Sequence, residues 1–93
     1  MEEKKQYDLE ERTLRFSKNV IDLINKTSKN LSNNEIAKQL IRSAGSVGAN
    51  YIEANEALGR KDFAMHTRIA RKEAKESRYW FQLFDCTELH QPL

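Results

Sequence analysis

Three stretches of this chain repeat their apolar residues at helical spacing, and little in the chain interrupts them. Leu9, Thr13, Phe16, Val20, Leu23 and Thr27 follow one another at intervals of three and four residues, which stacks them on one face of a helix. Ile36, Leu40, Ala44, Val47, Tyr51, Ala54 and Leu58 do the same, and so do Phe63, Thr67, Ala70, Ala74, Ser77, Phe81 and Phe84. One proline and three glycines in 93 residues fall short of the turn signals that a β-sandwich or barrel requires. The sequence therefore predicts a single all-α domain, with helices at about 8–28, 33–58 and 62–85 and a tail at 86–93. Short connections between long helices favour an antiparallel up-down bundle of the four-helix type, its fourth helix short or missing.

Local signals refine the helix ends. Asp8, Glu10 and Glu11 stand where a first helical turn welcomes negative charge. Ser32 and Glu35 have capping-box spacing, with Leu31 and Ile36 placed to form a hydrophobic staple across it. Gly59 is the expected left-handed stop of the second helix, and Asp62 the expected N-cap of the third.

Two of the helices carry a second apolar stripe. It runs through Ile41, Gly48 and Ile52 on the second helix and through Met65, Ile69, Trp80 and Leu83 on the third. A helix apolar on two sides must bury two sides, and a small chain has little surface with which to cover them. The simplest solution is a homo-oligomer whose interface takes up Ile41, Gly45, Gly48, Ile52, Met65, Ile69, Trp80 and Leu83.

Ser43-Ala44-Gly45-Ser46-Val47-Gly48-Ala49-Asn50 is the least ordinary segment. A mid-helix glycine costs about 1 kcal/mol relative to alanine, so two within four residues call for a reason, and close helix–helix approach supplies one. Gly45-Ser46-Val47-Gly48 also matches the GXXG spacing of a KH loop, but that loop belongs to a mixed α/β module. A phosphate-binding loop is excluded as well, because no Gly-Lys-Ser/Thr follows and no strand precedes.

The same segment, extended from Arg42 to Ala54, resembles the signature of a small bacterial four-helix-bundle family. That family is named for proteins encoded in intervening sequences of large-subunit ribosomal RNA genes. The resemblance continues through Lys61-Asp62-Phe63 and Ile69 to Trp80, and covers roughly residues 8 to 85. It implies a four-helix bundle assembling as a ring-like pentamer. It also implies kinship with accessory proteins of diversity-generating retroelements, which bind reverse transcriptase and nucleic acid. Two departures stand out: Arg60 occupies a position where the family often has a capping serine, and residues 86–93 do not resemble a fourth long helix. Partner subunits are therefore expected to complete the core.

Charge is distributed unevenly. Between Arg60 and Arg78 lie seven basic residues, Arg60, Lys61, Arg68, Arg71, Lys72, Lys75 and Arg78, against Asp62, Glu73 and Glu76, a segment net of +4. The other 74 residues carry nine basic and eleven acidic groups, net −2. Lys61, Arg68, Lys72 and Lys75 fall within about 60° on a helical wheel, with Arg71 and Arg78 beside them. Such a ribbon suits the sequence-independent attraction of phosphates, or serves simply as a solvated face. RNA, DNA or a reverse-transcriptase-like protein is the implied partner.

No enzymatic constellation emerges. Glu53 with Glu56, and Glu73 with Glu76, are carboxylate pairs at i,i+3, but di-iron bundles also need Glu-x-x-His on two helices. Positions 63 and 87 are Phe63 and Thr87, so the carboxylates are expected to pair with Arg42, Arg71 or Arg78. His66, His90 and Cys86 lack partners at catalytic or metal-binding spacing. Tyr79 and Trp80 are candidates for base stacking, with Trp80 better placed as an interface anchor. The expectation is a non-enzymatic oligomer without metal or cofactor. A lone cysteine, no secretory signal and no membrane span point to the cytoplasm.

Overall fold

The computed structural model describes residues 2–84, and the side chains of residues 8–84. Three α-helices follow in order: α1 (Glu2–Asn25), α2 (Leu31–Asn55) and α3 (Arg60–Leu83). The stretch holding Cys86, Glu88 and His90 lies outside the described residues. Contacts between the helices fix their directions. Along α1 and α2, Glu10 bonds to Asn55 while Val20 packs on Leu40 and Ala44. Along α2 and α3, Ser43 meets Ser77 and Asn50 meets His66. Residue numbers rise on one helix as they fall on its neighbour, so α1 and α3 both run antiparallel to α2.

The helix ends differ from the sequence expectations in instructive ways. α1 begins at Glu2, six residues before the expected start near residue 8, because Glu-Glu-Lys-Lys-Gln are strong helix formers. Asp8, Glu10 and Glu11 consequently sit inside the helix, where Asp8 pairs with Arg12 at 3.6 Å. α1 stops at Asn25, and the hydroxyl of buried Thr27 donates to Leu23 O at 2.6 Å, satisfying one carbonyl left open at the helix end.

The N-cap of α2 is Asn30, not Ser32. Its backbone is extended (φ −141°, ψ 173°) and its side chain accepts from Asn33 N at 2.8 Å. Ser32 instead donates to Asn30 Oδ1, and Glu35 pairs with Lys38. The shift places Leu31 at the first helical position, where it is 81% exposed, so the expected staple does not form. α2 ends at Asn55, with the Glu56 N–H bonded to Ile52 O and Glu53 O. Gly59 is the N-cap of α3 rather than the stop of α2, and its backbone is extended (φ −149°), not left-handed. Asp62 lies in the first turn of α3.

α2 is the central element: among the described residues the backbones of α1 and α3 both lie against it and not against each other. The described chain is flattened, 52 × 23 × 14 Å. Its core is correspondingly small. Val20, Leu40 and Ala44 form a buried cluster, flanked by partly buried Ile24 and Trp80. Between α2 and α3 the approach is set by small side chains, with Ser43, Ala70 and Ser77 essentially inaccessible. The serine hydroxyls serve one another: Ser77 Oγ lies 2.9 Å from Ser43 Oγ, and Ser43 Oγ donates to Leu40 O.

A core this thin leaves large apolar side chains partly in water. The inward stripe of α3 is only half covered, since Phe63 and Phe81 remain more than two-fifths exposed, as does Phe16 on α1. A hollow of about 330 Å³ opens between Phe16 and the α3 residues Ala74, Ser77, Arg78 and Phe81. Ile41, Ile52, Met65 and Leu83 of the second stripe are exposed. Two members of that set are engaged within the chain instead. Trp80 packs against the Val20–Leu40–Ala44 cluster, and Gly48 faces Thr13 of α1.

The two mid-helix glycines therefore have different meanings. A Cβ on Gly48 would sit 3.0 Å from Thr13 Oγ1 and 3.4 Å from Thr13 Cβ. Thr13 Oγ1 is itself held to Leu9 O at 2.8 Å, so close approach of α1 and α2 requires the missing side chain. A Cβ on Gly45 would meet nothing within 4 Å. Gly45→Ala is expected to stabilise the fold by up to about 1 kcal/mol through helix propensity alone. Gly48→Leu is expected to cost about 1–3 kcal/mol or more by overpacking. Denaturant unfolding of the two variants checks both signs.

Candidate nucleic-acid interface

The surface of α3 is organised by what happens to its carboxylates. Glu73 and Glu76 both turn toward Arg42 on α2. Glu73 Oε1 is 3.4 Å from Arg42 Nη1, in ion-pair rather than hydrogen-bond contact, and the Glu73 side chain is only 13% exposed. Arg42 Nη2 bonds to Glu76 Oε2, which also accepts from the Trp80 indole N–H at 3.1 Å. The Trp80 hydrogen bond is the largest influence on Glu76. Together with the charges of Arg42 and Lys72 it outweighs partial desolvation and holds the carboxyl below its ordinary pKa. This matches the expected pairing of the carboxylates with Arg42. Among the described residues no group of three His, Cys, Asp or Glu side chains is placed to hold a metal ion.

Those acids are turned toward Arg42, away from most of the cations of α3. Arg60, Lys61, Arg68, Arg71, Lys72, Lys75 and Arg78 are all exposed. The ion pairs among the described residues involve Arg12, Lys38 and Arg42, and none of those seven. At about 100° per residue, Arg71 and Arg78 border the side of α3 that carries Ala74 and Phe81. Arg68, Lys75, Lys61 and Lys72 continue away from α2. The structure thus brings the seven predicted basic residues onto one unbroken face.

The aromatic candidates divide. Tyr79 is exposed and meets Trp80 edge-on, with ring centroids 5.2 Å apart, while Trp80 is committed to Glu76 and the core. His66 is partly buried beside α2. Asn50 spends its amide N–H groups on Ser46 O and Ser46 Oγ, so its Oδ1 accepts from His66 Nδ1 at 3.0 Å. Tyr51 is a feature the spacing did not single out. It lies on the core stripe of α2, yet lines a hollow of about 360 Å³ together with Thr67, Arg68, Ala70, Arg71 and Ala74. Nothing in its sequence position distinguishes it from a packed core residue. The signal lies across the interface, in alanines too short to cover it.

An antiparallel helical layer with one uninterrupted cationic face defines a helical-bundle protein with an anion-attracting surface. The chain belongs to the 23S rRNA-intervening sequence protein family, whose model matches residues 5–91. No curated protein and no solved structure matches it significantly. Among the described residues no helix is long and apolar enough to cross a membrane.

The Arg42–Glu76 contact has a pH signature. A folded-state pKa below the ordinary value of 4.5 stabilises the fold fully above that pH. The contribution disappears as pH falls through the lowered value. Glu76→Gln is therefore expected to destabilise the protein at neutral pH, with the difference from wild type shrinking below pH 4.5. Paired denaturant titrations at neutral and acid pH check this; a pH-independent difference counts against it.

Proposed function

We propose that this protein is a non-catalytic nucleic-acid-binding subunit that engages phosphates through the basic face of α3. The observation that carries the reading is the set of seven exposed cations with no ion-pair partner among the described residues, beside two carboxylates claimed by Arg42. Unpaired surface cations neutralise nucleic-acid phosphates and release the counterions condensed on them. The family is named for intervening sequences of 23S rRNA, and RNA is the first ligand to test.

Binding of this kind weakens steeply with salt. Filter-binding or anisotropy titrations are expected to give a log–log salt slope that falls by about two when Lys72 and Lys75 are both changed to alanine. No binding to RNA or DNA at low salt would overturn the proposal.

Self-assembly is a second reading, favoured by the exposed Ile41, Ile52, Met65 and Leu83, which a homo-oligomer would remove from water. Under this reading the basic face is a soluble exterior, and Lys72→Glu with Lys75→Glu leaves assembly unchanged. Light scattering at micromolar concentration separates the cases; a stable monomer argues against assembly.

A further inference from the structure

The two hollows on α3 adjoin at Ala74, which lines both. Thr67, Ala70, Ala74 and Phe81, which line them from α3, follow one another along one side of the helix. Tyr51 stands at one end, and Phe16 and Phe81 at the other. Arg68 and Arg71 rim the first hollow and Arg78 the second, so about 15 Å of helix axis carries arginines beside aromatic side chains. The alanines create the depth: Ala70 and Ala74 place only a methyl group where a larger residue would fill the space.

We infer that this trough is a binding site for single-stranded nucleic acid, with unpaired bases against Tyr51, Phe16 and Phe81 and the backbone along the arginine rim. The inference rests on the nucleic-acid reading above and narrows it. A cationic face alone attracts duplex and single strand alike, whereas an aromatic trough accepts a base only when its π-face is free. Each hollow, at about 330–360 Å³, is large enough to admit a base. Charge decides the class of occupant. A purely apolar peptide would gain nothing from the exposed arginines, whereas a polyanion would be attracted by them.

The test compares a fluorescent uridine oligomer of ~12 nucleotides with an RNA duplex of the same length, using the full chain at low salt. Single-strand binding is expected to be at least about tenfold tighter, the equivalent of one stacked base. Tyr51→Leu with Phe81→Leu keeps apolar bulk but removes the aromatic faces, and is expected to abolish the preference while duplex binding persists. Phe81→Leu alone, at a half-exposed position, is expected to weaken single-strand binding severalfold if the pair of changes impairs folding. Equal affinity for both RNAs, or a preference that survives the leucine changes, overturns the inference and leaves the basic-face reading standing. Loss of binding to both RNAs in the wild-type protein overturns that reading too. A designed amphipathic helix with glutamates flanking its leucine stripe is the competing occupant. If it fills the trough and the oligomer does not bind there, the trough is a protein-docking site and the inference fails.

Discussion

Arg42 sets the rotation of α3 about its own axis, and the character of the exposed surface follows from that setting. One guanidinium meets both Glu73 and Glu76 across the α2–α3 interface. Trp80 holds Glu76 from the same helix, and the Ser43–Ser77 contact lies on the adjoining flank. Exposed ion pairs contribute little. Here one carboxylate is largely withdrawn from water, so turning α3 away from Arg42 would leave Glu73 desolvated without a cation, which is costly. The inward direction of these acids is thus enforced, and the outward direction of the cations is its consequence.

Small side chains make the same interface possible and leave it incomplete. Ser43 on α2, with Ala70 and Ser77 on α3, lets these two helices approach closely, as Gly48 does for α2 and α1. Such residues contribute little apolar area, and stabilisation by burial scales with that area. The backbones of α1 and α3 approach α2 but not each other, so Phe16, Phe63 and Phe81 keep more than two-fifths of their surface in water. An open aromatic trough is therefore built into a layer whose central helix is lined with small residues.

The helices and their inward faces were legible because periodicity reports direction, and direction survives packing. Val20, Leu40, Ala44 and Ala70 are buried as their spacing indicates. Helix ends were less legible, since several residues compete for each cap. Asn30 and Ser32 are both able N-cap residues, and Asn30 prevails where its extended backbone lets its side chain reach Asn33 N. Long side chains escape the wheel for another reason. Trp80 starts on the second stripe, yet its side chain packs against the Val20–Leu40–Ala44 cluster. Gly45 and Gly48 look alike in sequence and differ only in what faces them. The basic face was legible as a ribbon of like charge. Its freedom from internal pairing was not, because that depends on where Arg42 lies across the interface.

Net charge is consequently a poor guide to this molecule's field. The chain totals +2, and the segment from Arg60 to Arg78 totals +4. Even the latter understates the outward potential, because Glu73 and Glu76 are counted at full weight although Arg42, from another helix, offsets one of their two charges. Arg42 lies outside that segment, and adding its +1 to the segment's +4 gives +5. The exposed arc of α3 thus acts with most of the charge of its seven cations, with Asp62 in the first turn among the offsets. Within a Debye length of about 8 Å at physiological ionic strength, an approaching polyanion responds to that arc and not to the total for the chain. Pairing acids between helices is therefore a way for a nearly neutral protein to present a strongly basic face.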